Sequence, residues 1–216
     1  MQTKTDAIAN TLLRLASIAL VAGLLLSFIF QPAGAWLSLL LATWFIGTQR
    51  PARGLALLVL IDFIPRLLSH WGQFTPNVPV YLLWMAAATG LSVFPLALHR
   101  LVSPRLSGVL STLPLALAGV VCQALGQAVL PAEVFNLISL ARTQAGNPLI
   151  LQIGAALGAS AIVFLMYWFA ALFNWMWDYD FRPAKIARGA GLAGVVYGAA
   201  LVYGAPGCLS GVSRLR

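Results

Sequence analysis

An all-α, polytopic membrane bundle of about seven transmembrane helices is the fold this sequence predicts, and three observations predict it. Charged residues make up 8% of the chain and hydrophobic residues 61%, whereas a soluble domain carries about 25% charged residues. Mean hydropathy is +0.90. The apolar residues gather into seven stretches separated by short polar connections. A bilayer core of about 30 Å takes roughly 20 helical residues to cross. Helices also satisfy their own backbone hydrogen bonds, which lipid cannot do. The alternation of a membrane β-barrel is absent, as are internal repeats and low-complexity linkers. Residues 1–216 therefore read as one transmembrane domain.

In chain order, spans are expected near residues 15–30, 36–47, 54–68, 78–98, 107–130, 148–177 and 189–204. The first follows Lys4 and Arg14 and precedes Ala33-Gly34-Ala35, the form of a secretory signal with a small-residue cleavage site. It is read as a first transmembrane helix ending in the Gln31-Pro32-Ala33-Gly34 turn. The second span is compact. The third carries Asp62, Pro65 and Arg66. The sixth is the longest, with Gly154 and Gly158 offering a small-residue packing face. At its far end Trp168, Trp175, Trp177 and Tyr179 are expected to form an interfacial aromatic belt.

The connections alternate in charge. With the N-terminus in the cytoplasm, nine Lys/Arg lie on that side: Lys4, Arg14, Arg50, Arg53, Arg100, Arg105, Arg182, Lys185 and Arg188. Arg66, Arg142, Arg214 and Arg216, four in all, lie on the other. The asymmetry predicts N-in and C-out. It also gives the net charge of +8 a topological meaning. The cations are spread over several loops and form no stripe with interleaved aromatics, so nucleic acid is not an expected partner.

Motifs for metal or cofactor chemistry are missing. There is no CxxC and no HExxH, and no glycine-rich loop in a strand-to-helix setting. His70 and His99 fall on opposite sides of the predicted membrane. Cys122 lies inside a span as a small packing residue, and Cys208 follows the last span. No cofactor is expected. The polar groups placed within or beside spans are the candidate lipid or partner contacts: Asp62, Arg66, Gln123, Gln127, Gln144 and Gln152. Asp62 and Arg66 stand i,i+4 and are expected to pair facing the bundle interior. Gln123 and Gln127 have the same spacing and are expected to hydrogen-bond between helices.

Three stretches carry a family resemblance: Phe30-Gln31-Pro32-Ala33-Gly34-Ala35-Trp36; Trp71-Gly72-Gln73-Phe74-Thr75-Pro76 after His70; and Gln144-Ala145-Gly146-Asn147-Pro148-Leu149-Ile150-Leu151-Gln152, followed by Gly158, Phe164-Leu165 and Asn174. Together and in this order they resemble the N-terminal membrane domain of the apolipoprotein N-acyltransferase family, membrane-bound members of the nitrilase superfamily. The resemblance covers nearly the whole chain. It implies an inner-membrane protein that handles membrane phospholipid. In the family, an acyl chain passes through a cysteine thioester, held in a nitrilase-like domain outside the cytoplasm, to the N-terminal amine of a lipoprotein. This chain stops near where that domain would begin. Nitrilase chemistry needs a cysteine nucleophile, a glutamate base and a lysine. The single glutamate is Glu133, and the lysines are Lys4 and Lys185, predicted on the opposite side. The segment before Gln144 also departs, with Phe135-Asn136-Leu137 and Ala141-Arg142 where family enzymes often carry aromatic Pro-Trp and Gly-Tyr elements. The resemblance therefore implies a membrane half truncated before or split from its catalytic domain, without catalysis of its own, that binds lipid and a protein partner carrying a nitrilase-like domain. The alternative is a non-catalytic accessory or structural subunit of a larger membrane complex.

Overall fold

The structure, a computed structural model, describes the backbone of residues 32–69 and 77–213, with side chains as far as Val202 except at residues 69, 137, 138 and 201. The expected first span, His70 with the Trp71–Pro76 stretch, and the Cys208 side chain lie outside the described residues. Eight α-helices are described, and no strand occurs among these residues. They are α1 (Ala33–Thr48), α2 (Pro51–Ser69), α3 (Val78–Val102), α4 (Leu113–Val129), α5 (Ala132–Ile138), α6 (Pro148–Leu157), α7 (Ala159–Asp178) and α8 (Pro183–Ser213). Short 3₁₀ turns at Ser103–Arg105, Gly108–Thr112 and Leu140–Gln144 join some of them.

Local chemistry sets several boundaries. Pro51 and Pro148 open α2 and α6 at a position where a missing N–H costs nothing. Asn77 and Asn147 cap α3 and α6 by accepting from the backbone N–H of Val80 and Ile150, each at 3.4 Å. Pro65 and Pro95 sit inside α2 and α3.

α7 is the centre of the bundle. Val163, Met166, Tyr167, Trp168, Ala170 and Ala171 are all buried along it. α1 and α4 pack on α7, α3 packs on α4, α2 on α3, and α6 lies between α7 and α8. α8 meets α7 through Tyr197, whose hydroxyl donates to Leu165 O at 2.7 Å and whose ring stacks on Trp168 at 5.8 Å. Large apolar side chains point outward from every long helix, among them Leu60, Leu83, Leu117, Val121 and Val195. Water would penalise such a surface at roughly 25 cal/mol per Å²; lipid does not. Among the described residues, three helical stretches are long and apolar enough to cross a membrane: Val78–Arg105, Gly108–Val129 and Ala159–Asp178.

The expected single span over 148–177 is corrected to two helices. Gly158 has φ +83° and ψ 168°, a conformation essentially reserved for glycine. There the chain reverses and α6 folds back on α7. Gly154 faces Ile162 so closely that a Cβ would come within 2.8 Å of Ile162 Cδ1. Gly154 and Gly158 thus shape a hairpin and form no common helix face. The last span, expected at 189–204, belongs to the longer α8. The loop expected between the fifth and sixth spans contains α5 and the Leu140–Gln144 turn. Trp168 leaves the expected belt: it is 3% exposed and donates to Thr112 Oγ1 at 3.0 Å. Trp177 is exposed, consistent with the belt.

The bundle has two distinct ends. Pro32, Trp36 and Gln144 meet at one. Gln49 and Arg100 meet at the other, where Gly189 also packs on Trp175.

Candidate functional site

Asp62 and Arg66 pair as expected. Arg66 Nε donates to Asp62 Oδ2 at 2.6 Å and Nη2 to Oδ1 at 2.9 Å, a bidentate fork within α2. Both residues are buried. Arg66 Nη2 also donates to Ser92 Oγ on α3 at 2.7 Å, so the pair ties two helices together. Such charge-assisted forks are the strong class of hydrogen bond, and burial makes each partner depend on the other.

The two glutamines of α4 separate in role. Gln123 Nε2 donates to Ser139 Oγ at 2.9 Å, holding the α5 connection. Gln127 is exposed, contrary to the expected interhelical bond. Beside Gln123, a cavity of ≈ 30 Å³ lies between Ser92, Cys122 and Tyr167, enough for about one water.

Gln144 is fully buried and spends its amide on the fold. It accepts from Trp36 Nε1 at 2.9 Å and donates to Pro32 O at 3.2 Å and Thr143 Oγ1 at 2.9 Å. Two of the stretches singled out in the sequence, 108 residues apart, are thus hydrogen-bonded to each other. Gln152, one turn beyond Pro148 on α6, is half-buried. The six candidates therefore converge on no single centre.

A polar cavity of ≈ 500 Å³, which sequence reasoning missed, opens at the other end. The C-terminal turns of α1, α3 and α7 and the turns at Ser103–Arg105 and Gly108–Thr112 enclose it. Thr43, Ser111 and Thr112 are buried in its wall, whereas Asp178 is exposed. Asn174 uses both amide N–H bonds on Leu40 O and Ala170 O, which fixes α7 against α1. Arg100 Nη2 donates to Gln49 O, bridging α3 to the α1–α2 connection. Three lining residues carry solvent-shielded nitrogens without a partner: His99 Nδ1, Arg100 Nη1 and Trp175 Nε1. His99 and Arg100 read as a loop in the sequence; in the structure they form the last turn of α3. The signal was three short polar stretches at three span ends, each ordinary alone.

A second, apolar crevice of ≈ 580 Å³ lies along the α6–α7 hairpin and α8. Ile153, Leu157, Phe164, Val195 and Val196 line it, with Ala161, Ala199 and Ala200 providing the space.

No three His, Cys, Asp or Glu side chains gather as a metal site among the described residues. Glu133 starts α5 near the Gln144 end, and Lys185 starts α8 near Trp175 at the other, so they cannot act together. Comparison with protein families, curated proteins and solved structures gives no match.

Proposed function

We propose that this chain is an integral membrane protein that holds a phospholipid acyl chain and docks a protein partner, built like the membrane half of an apolipoprotein N-acyltransferase and without catalysis of its own. The apolar crevice between α6, α7 and α8 is the observation that carries this reading. Its lining is aliphatic and aromatic, and its small residues leave a trough of acyl-chain character. It flanks the α6–α7 hairpin, which the Gln144 turn anchors to the start of α1. Purified in mild detergent, the chain is expected to retain phospholipid by native mass spectrometry. Ala161→Phe and Ala200→Phe should remove it while leaving the protein monodisperse. Retention unchanged in both folded variants would overturn the reading. A stoichiometric larger complex lacking retained lipid would favour the accessory subunit instead.

The proposed topology has seven crossings, with residues 15–30, α1, α2 and α8 joining the three longest apolar helices and α6 as a re-entrant arm. At about 24 Å, α1 is short for a full crossing. The basic residues Arg50, Arg53, Arg100, Arg105, Arg182, Lys185 and Arg188 belong to connections and helix ends on one side, whereas Arg142 lies near the Gln144 end. This supports placing the basic end in the cytoplasm of the inner membrane, with N-in and C-out. A membrane-impermeant thiol reagent added to intact cells should then label Cys208. Labelling confined to lysed cells would reverse the orientation.

A further inference from the structure

We propose that the polar cavity at the basic end binds a phosphodiester group, separately from the acyl-chain crevice. Three features of the cavity carry this. First, its volume of ≈ 500 Å³ falls within the range of ligand sites, about 300–1,000 Å³. Second, His99 Nδ1, Arg100 Nη1 and Trp175 Nε1 all belong to its lining, and each is buried without a partner. Buried donors are ordinarily satisfied. Arg and Trp side chains have donors only, so what completes them must bring acceptor oxygens. Arg100 Nη1 and Trp175 Nε1 are N–H donors, and His99 Nδ1 is one in the matching tautomer.

Third, charge favours an anion of limited charge. Arg100 is the cation of the wall, and the exposed Arg50, Arg53 and Arg105 stand on adjoining turns. Asp178 is the one acidic lining residue and lies exposed, where water screens it. A singly charged phosphodiester meets this balance better than a doubly charged phosphate. Thr43, Thr48, Ser111 and Thr112 spend their hydroxyl protons on the backbone carbonyls of Leu39, Phe45, Gly108 and Val109, so among the lining hydroxyls Ser103 is the one left to donate to a further oxygen. Two sources offer this chemistry: a bilayer lipid headgroup and a soluble phosphodiester.

The test uses the full chain in detergent and isothermal titration with three probes. These are dihexanoyl phosphatidylglycerol, dihexanoylglycerol lacking the phosphate, and soluble glycerophosphoglycerol. The phosphorylated lipid should bind and the phosphate-free one should not. Arg100→Gln and Trp175→Phe should each weaken binding about tenfold or more, as expected for losing a hydrogen bond to a charged group. Trp175→Phe leaves the Arg100–Gln49 bond intact and so keeps the test open if Arg100→Gln misfolds. Binding of glycerophosphoglycerol as well assigns a soluble source; binding of the lipid alone assigns a headgroup. Equal binding of dihexanoylglycerol, or unchanged affinity in both folded variants, overturns the proposal. Neither variant touches the α6–α8 crevice, so retained acyl lipid in the same samples reports on that reading independently.

Discussion

Asp62→Asn is expected to cost the folded state about 3–5 kcal/mol, because it strands the Arg66 guanidinium inside the bundle. Arg66 is 8% exposed, and both of its bonds to the α2 carboxylate go to Asp62, at 2.6 and 2.9 Å. The asparagine retains one carbonyl oxygen and no charge. Ser92 Oγ, at 2.7 Å, offers a single neutral acceptor and cannot neutralise the cation. An unpaired charge at the centre of a transmembrane helix costs about 2.5–3.5 kcal/mol on insertion scales, which points the same way. Arg66→Gln removes the opposite charge and should be comparably damaging. In Asp62→Asn with Arg66→Gln, two neutral amides one turn apart can bond to each other, so the double variant should recover part of the loss. Unfolding in mixed micelles, read by tryptophan fluorescence across all four proteins, measures the coupling. Strictly additive losses would show that the pair is not a unit. A Ser92→Ala variant should lose far less, since the two-toothed ion pair remains.

How far this architecture was legible depends on the range of the interaction involved. The Asp62–Arg66 pair could be read because its spacing is a property of one helix. The partner Ser92 could not, since nothing local says which residue of α3 faces Arg66. Apolar runs located the long helices for the same reason: burial in lipid acts on each segment alone. Gly158 misled because glycine is ordinary within transmembrane helices. Its positive φ is decided by α6 packing against Ile162 and α8. Trp168 misled for a related reason. Sequence places it seven residues and more from the other belt aromatics, and only the approach of Thr112 and Tyr197 reveals that it points inward. Gln144 was visible as part of a stretch, but its work as the partner of Trp36 needs residues 108 positions away. The polar cavity is the extreme case: Thr48, His99, Arg100 and Trp175 become neighbours only when three helix ends converge.

Among the described glycines, Gly119 leaves least room for a side chain, and Gly119→Ala is expected to be strongly destabilising. A Cβ there would lie 2.2 Å from Tyr167 Cδ2, 2.6 Å from Cε2 and 2.9 Å from Cγ. No side chain tolerates such distances, so the ring or the helix must move. Tyr167 is 3% exposed on the central helix, with Val163, Met166 and Trp168 buried around it, so the ring can give way only towards the ≈ 30 Å³ cavity beside Ser92 and Cys122. Separating α4 from α7 would loosen the most central helix pair of the bundle. Overpacking of this kind costs about 1–3 kcal/mol, and more where a rigid ring is the obstacle. Two other glycines set the scale. Gly154→Ala meets the flexible terminal methyl of Ile162 at 2.8 Å and should cost less. Gly194→Ala meets nothing within 4 Å, and helix propensity should make it neutral or stabilising by about 0.5–1 kcal/mol. Melting temperatures in one detergent should therefore rank Gly194→Ala highest, Gly154→Ala below it and Gly119→Ala lowest. Tyr167→Leu, which clears the space beside residue 119, should recover part of the Gly119→Ala loss when the two are combined. If Gly119→Ala melts with the unmodified chain, α4 and α7 are not packed through this glycine and the centre of the bundle is arranged differently.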